Sequence, residues 1–470
     1  MRPCPCHSSA IQTASHRITA DLSRRGFIAG VTASVASLGL FASANAAPEP
    51  TSRPILFTNF RLFDGTSSGL RDGLFLLVEG TRIKAVGSGT PATPEGARVI
   101  HCGGRVIMPG MIDAHWHAMF AGLPLPVLMQ GDSGFITLAA AEEAERTLMR
   151  GFTTIRDLGG PSFALKQGID QGLAVGPRIY PCGAMITSSG GHGDMRPLYE
   201  IPHAPGGPFG SIREMEGAMI ADGPDVVMLR VREQLLQGAS HIKIVGSGGV
   251  SSPRSPLDAM TYTEAEIRAA VNVCSDWNTY ATVHAYKSNA VARAAAAGAG
   301  CIEHAHLMDD ATAAILAEKD VWLSTQPFLS AEDQLPQTGE AKEKMLEVFS
   351  GTRDMYRLAI KHGVKVAWGS DLLFSATLAR RQNIMVTHLT NWYSNAELLK
   401  QVTAANGRLL SLSGERNPYP GKLGVIEAGA LADLLVVDGN PLEDITLVAR
   451  PEKSLVLIMK DGAVFKDRLG

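Results

Sequence analysis

Gly110-Met111-Ile112-Asp113-Ala114-His115-Trp116-His117 is a short apolar run that ends in two histidines one residue apart. Strand side chains alternate between faces, so His115 and His117 point the same way while Trp116 turns into the packing behind them. Two imidazoles on one face at that spacing can grip one divalent cation. A core histidine beside an exposed one would satisfy the same stretch. The choice rests on whether the chain supplies further ligands, and in what order.

Downstream of this run, helix and strand patterns alternate. An Ala/Glu-rich helix around Ala139–Arg150 leads to Thr153-Thr154-Ile155-Arg156-Asp157, and a further helix to Arg178-Ile179-Tyr180-Pro181. A long loop follows, containing Ser188-Ser189-Gly190-Gly191-His192-Gly193-Asp194. A helix near Pro224–Gln237 precedes His241–Val245, one at Thr263–Asn278 precedes Tyr280–His284, and one at Asn289–Ala297 precedes Cys301–His304. Val321–Ser324 and Val364–Trp368 complete eight strand candidates. A (β/α)8 TIM barrel is the economical α/β reading, with a doubly wound open sheet second. Both ends of the chain differ from this body. Leu74–Val78, Arg82–Val86 and Arg105–Ile107 near one end, with Ala432–Val437 and Leu455–Met459 near the other, are β-rich runs. They suggest a small β-sandwich domain built from both termini, residues 47–108 and 421–470, around a barrel spanning 109–420.

On such a barrel the active site lies at the C-terminal ends of the strands. His115 and His117 close strand 1, Lys243 lies on strand 4, His284 ends strand 5, His304 ends strand 6, and Asp371 follows strand 8. Each has an ordinary explanation taken singly: an aspartate after a strand often caps a helix, and a lysine can snorkel. Together on one rim they make a metal site. A protonated Lys243 would repel a dication, and it ligates as an amine only after a costly deprotonation. Carboxylated by CO2 it becomes a carbamate whose two oxygens can bridge two metals, which suits a lysine buried in Ile242-Lys243-Ile244-Val245. A salt bridge to Asp371 is the alternative. His306, two residues past His304, is a rival ligand by position, but it reads as a residue behind the ligands or on the following loop.

The opening segment stands outside the fold. Ser23-Arg24-Arg25-Gly26-Phe27-Ile28 is a twin-arginine pattern, an Ala/Gly/Ser/Val stretch follows it, and Ala44-Asn45-Ala46 is a small-residue cleavage site. Residues 1–46 therefore read as an export signal, with a mature start near Ala47 and a periplasmic or secreted product. A transmembrane anchor is disfavoured by the small residues. Hydrophobic content of 45% and a formal charge of -3 in 470 residues argue against nucleic-acid and membrane-surface partners. Cys4 and Cys6 fall in the signal. Cys102, Cys182, Cys274 and Cys301 are far apart and read as buried free thiols.

His115-Trp116-His117, Lys243, His284, His304 and Asp371, in that order, resemble the metal-dependent amidohydrolase superfamily. Thr153–Gly160, Gly190–Asp194, Ile242–Gly249, Val283–Tyr286, Ile302–His304 and Ala432–Leu442 narrow the resemblance to its imidazolonepropionase-like, prolidase-related branch. That branch includes ochratoxin amidohydrolases and Xaa-Pro or basic-residue carboxypeptidases. The likeness runs from about Ile55 to the C-terminus, and the stretch Asn406–Gly429 leans toward the ochratoxin amidohydrolases. It implies His115, His117 and Asp371 on one metal, His284 and His304 on a second, and a carboxylated Lys243 between them. Two divalent ions, Zn2+ by ligand type, would then acidify a water and polarise a carbonyl. Asp371 would be the proton carrier.

His192, on its glycine-flanked loop, is a candidate donor to an oxyanion or to substrate; holding the loop in shape is the competing role. Tyr286 is a candidate for a substrate carboxylate, against plain core packing. Arg230 or Arg232 offers another anchor, though both sit on a helix that reads as solvated. Lys287, after His284-Ala285-Tyr286, alters the charge expected at the pocket mouth. The expected reaction is hydrolysis of an N-acyl amino acid or dipeptide with a free carboxylate, by a homo-oligomer as relatives often are. A lactonase, deaminase or phosphotriester hydrolase, a relative that lost its site, and an exported binding protein are the alternatives. Lys243 argues against the deaminases.

Overall fold

The computed structural model describes Pro48 and residues 53–200 and 217–469. The expected export signal lies outside the described residues. Runs of aliphatic and β-branched residues broken by Gly and Pro form β1 (Ile55–Leu62), β2 (Leu74–Glu79), β3 (Arg82–Ser88) and the long β4 (Arg98–Pro109). The histidine run is β5 (Met111–Trp116), buried at every position. The parallel strands β6 (Phe152–Asp157), β7 (Arg178–Tyr180), β8 (Met185–Thr187), β9 (Ala218–Ile220) and β10 (Ile242–Val245) follow. Then come β11 (Ala281–Lys287), β12 (Cys301–Leu307), β13 (Trp322–Thr325) and β14 (Val366–Trp368). The chain closes with β15 (Leu434–Val437), β16 (Leu455–Lys460) and β17 (Ala463–Asp467).

β5 to β14 form the TIM-barrel α/β body, with two departures from the eight strands expected. The third stave is split. β7 pairs with β6 and β8 with β10, and Pro181-Cys182-Gly183-Ala184 lies between them. Gly183 makes that kink possible: its φ is +74°, and a Cβ there would fall 2.2 Å from Gln234 Oε1. The same oxygen accepts from the Ala184 amide at 2.9 Å, so a helix residue clamps the break. The region read as one long loop also contains β9, which pairs in parallel with β8.

The ladder order is β5-β6-β7 and β14-β13-β12-β11-β10-β8-β9, so among the described residues no ladder joins β14 to β5, although the Asp371 amide just past β14 donates to the His115 carbonyl at 2.8 Å. Asn406 joins them. Its Nδ2 donates to the Ile112 and Trp368 carbonyls, each at 2.7 Å, and its Oδ1 accepts from the Trp368 amide at 3.0 Å.

Helices begin and end where residue chemistry requires. Pro224–Gln237 starts on proline and stops at Gly238 in the left-handed region. Glu264–Asp276 starts from a Thr263/Glu266 capping box.

The strands of the two chain ends share one sheet, in the order β17-β16-β15-β4-β1-β2-β3. Along β4, Val106 and Met108 pack into the barrel core while Ile107 faces the sheet's own core with Phe57 and Leu62. β15 repeats this, with Leu435 and Val437 toward the barrel and Leu434 and Val436 away from it. Period-two alternation thus serves two cores at once. Cys102, Cys182, Cys274 and Cys301 are buried and unpaired, as expected. Among the described residues no helix is long and apolar enough to cross a membrane.

Candidate metal centre

His115, His117, Lys243, His284, His304 and Asp371 line one cavity at the C-terminal end of the barrel, together with His192 and Tyr286. Asp371 reaches three of the histidines. Its Oδ1 lies 3.3 Å from His115 Nε2 and 3.4 Å from His117 Nε2, and its Oδ2 lies 3.9 Å from His304 Nδ1. One ligand atom from each of His115, His304 and Asp371 falls within 4.8 Å of the others. Rings of His284 and His304 meet edge to face at 4.5 Å. Backbone strain aims two of these side chains: His304 and Asp371 have φ of 76° and 53°, unusual for residues other than glycine.

The donor set suits divalent metal. Each histidine is held through one ring nitrogen, which leaves the other for the cavity. His115 Nδ1 meets Glu303 Oε2 at 2.8 Å, His117 Nδ1 the Gly159 carbonyl at 3.3 Å, His284 Nε2 the Gly248 carbonyl at 3.0 Å, and His304 Nδ1 Gln326 Oε1 at 2.9 Å. Burial, with neighbouring positive charge, keeps His284 and His304 well below the usual imidazole range, so both offer lone pairs. For His115 burial works the same way, but the Asp371 carboxylate outweighs it and raises the pKa. Burial would push the Asp371 carboxyl up, yet His115 and His117 hold it well below its ordinary value.

Lys243 is 2% exposed, and burial lowers its pKa against the pull of Glu303 and Asp371. Among the described residues, the ion pairs of Asp371 go to histidines and none to Lys243.

His192 is half-buried, with its ring stacked on His284 at 4.7 Å. Its close seat requires Gly249, where a Cβ would lie 2.4 Å from His192 Nδ1. Burial, with Lys243 next, pulls its pKa down to about 3, so it is neutral. Tyr286 stacks on His304 at 4.8 Å, and burial raises its phenol pKa. His306 lies off the cavity, bonded through Nε2 to the Gln326 carbonyl at 2.9 Å and stacked on Phe328. Arg230 pairs with Glu233 on its own helix and Lys287 with Glu347, so neither reaches the cavity; Arg232 is exposed.

The family model for the amidohydrolase family matches residues 106–464. The chain belongs to the amidohydrolase family. This amidohydrolase is 28% identical to an ochratoxinase of Aspergillus niger over 380 residues, 77% of this chain and 76% of that protein. A crystal structure described as an amidohydrolase superposes with a TM-score of 0.81 at 35% identity, covering 89% of this chain and all of the other. A prolidase complexed with N-methylphosphonate-L-proline gives 0.81 at 32% identity, covering 88% of this chain and 100% of the prolidase. The chain is accordingly an ochratoxinase-like, prolidase-related hydrolase of amide bonds.

The buried groups behind the ligands were not singled out in the sequence: Glu303, Arg156, Gln326 and Asp113. Asp113 Oδ1 accepts from the backbone amides of His115 and Ser370, tying the first ligand strand to the segment that carries Asp371. Asp113, Arg156 and Glu303 lie within the strand patterns that carry the ligands, but strict strand alternation puts Glu303 on the face opposite His304. Consecutive left-handed residues at His304 and Ala305, with a register shift between β11 and β12, bring both to the interior.

Proposed function

We propose that this amidohydrolase uses a binuclear metal centre to hydrolyse the amide of an N-acyl amino acid or dipeptide that carries a free carboxylate. The observation that carries the reading is the convergence of four anchored histidines, Lys243 and Asp371 on one cavity. His115, His117 and Asp371 would hold one ion, His284 and His304 the other, with Lys243, carboxylated by CO2, between them. Bound there, divalent cations, Zn2+ by donor type, would polarise a carbonyl as Lewis acids and lower the pKa of a water.

The chain's own groups do the rest. Asp371, ionised and at the centre of the ligand set, accepts a proton and passes it to the leaving amine. Neutral His192 and protonated Tyr286 offer N–H and O–H donors to the carbonyl oxygen or the carboxylate without adding charge. Phe120, Phe328, Phe349, Phe374, Met185 and Met345 line the remaining wall. They suit an aromatic or bulky apolar group, as in ochratoxin-type or Xaa-Pro-type substrates. The terminal sheet is on this reading a small β-sandwich domain (47–108 and 421–470) around the barrel (109–420). Twin-arginine export to the periplasm or beyond, and assembly as a homo-oligomer, complete the proposal.

One observation favours a second reading. Among the described residues lining the cavity Lys243 is the only lysine or arginine, which suits a neutral cyclic ester or amide. The test compares kcat/KM for an N-acyl phenylalanine with that for its methyl ester. Losing the carboxylate is expected to cost at least about tenfold, ~1.4 kcal/mol of transition-state binding. Equal rates, or faster opening of a lactone, would promote the second reading.

A further inference from the structure

Arg156 Nη2 and Glu303 Oε1 meet at 2.5 Å beneath the metal ligands, and neither side chain is exposed at all. Removing two charges from water often costs more than their attraction returns, and apolar residues of similar volume commonly fill such a place at no loss of stability. Barrel interiors are ordinarily layered with branched aliphatics. What the pair touches gives the reason for it. Glu303 Oε2 accepts from His115 Nδ1 at 2.8 Å, and Oε1 also accepts from Thr282 Oγ1 at 2.5 Å. The guanidinium donates through Nε to the Ala114 carbonyl at 2.6 Å and through Nη1 to Tyr280 Oη at 3.0 Å. One arginine thus holds the peptide that leads into His115 and, through Glu303, the ring of the same residue.

A competitor sits beside the ring. Gln326 Nε2 lies 3.2 Å from His115 Nδ1 and would make that nitrogen an acceptor. The proton can sit on Nδ1 or face the cavity on Nε2, and only the first leaves Nε2 a lone pair beside Asp371. A carboxylate, charged and 0.4 Å closer than the amide by the two distances, accepts from an Nδ1–H and so keeps the proton on that nitrogen.

We propose that Arg156 and Glu303 are positioning residues that fix His115 as its Nδ1–H tautomer and so set the affinity of the centre for metal. The inference rests on His115 being a ligand, as read above.

In Glu303→Gln, Arg156 claims the new amide's oxygen and turns its N–H toward His115, where it acts with Gln326 to drive the ring proton to Nε2. Zn2+ affinity, measured by chelator competition, is expected to fall about 10–100-fold. The fall in kcat should exceed any change in KM. Since this variant leaves a buried arginine without its anion, the double variant Arg156→Met/Glu303→Leu removes both charges together; it is expected to keep the fold and lose Zn2+ affinity in the same range. A neutron structure of the metal-free wild-type protein, independent of any variant's folding, should place a deuteron on His115 Nδ1. Zn2+ affinity within twofold of wild type in either folded variant, or a metal-free wild type whose His115 Nδ1 carries no deuteron, would overturn the proposal. A wild type that takes up no divalent metal would instead sink the reading of the site on which it rests.

Discussion

Lys243 is held between Ile242 and Ile244 in a strand buried along its whole length. An ammonium in that position loses its hydration and, with no ion pair to Asp371, gains little in return. On the proposed reading, carbamate formation would remove the positive charge and supply two oxygens to the cavity, a role that a lysine can fill and an aliphatic residue cannot. Lys243→Ala is expected to lower kcat/KM by at least about a thousandfold, over 4 kcal/mol, and to reduce bound metal as read by elemental analysis. Short carboxylic acids added with Zn2+ should restore part of the activity. Full activity and full metal content in the alanine variant would end the binuclear reading.

At the scale of elements, the gathering of the candidate ligands on one cavity was legible because parallel strands deliver their ends to one rim. His115, His117, Lys243, His284, His304 and Asp371 could therefore be assigned to it from strand patterns alone. The left-handed pair His304 and Ala305 was not legible, because non-glycine residues adopt that conformation only where tertiary contacts impose it. Glu303 was hidden for the same reason. The split third stave was hidden by brevity, since β7, β8 and β9 are three residues each and give little period to read. Asn406 was also missed. It lies inside a continuous helical run, directly after the π-turn Gln401–Ala405, where helical period alone names no backbone partner for it, but its amide replaces the missing ladder between β5 and β14. Asn406→Leu leaves the Ile112 and Trp368 carbonyls and the Trp368 amide without these bonds. A loss of about 3 kcal/mol is expected, measured as a fall in denaturant midpoint at unchanged m-value. A midpoint within experimental error of wild type would show that β5 and β14 hold together without it.

Across the whole molecule, the two ends of the chain depend on each other. β4 pairs with β15, as Leu434 with Pro109 and Val436 with Ile107, so the terminal sheet cannot form until the last strands exist. The Gly110 amide donates to the Asp433 carbonyl at 3.0 Å, and Arg178 on β7 pairs with Asp433 at 3.0 Å. The start of the ligand strand is thereby tied to the same late segment. Contacts of such sequence separation form slowly, and a metal centre assembled from strands across the barrel exists only once they have formed. A route that exports folded chains suits this order of events, and the proposed twin-arginine signal is such a route. Changing Arg24-Arg25 to Lys-Lys is expected to strand the precursor in the cytoplasm, folded, metal-loaded and active in lysates, while the wild type is recovered outside the inner membrane. Fractionation with activity assays on each fraction measures both. Undiminished recovery of the Lys-Lys variant outside the membrane would rule out this route. Stranded but inactive precursor would show that folding or metal uptake follows export.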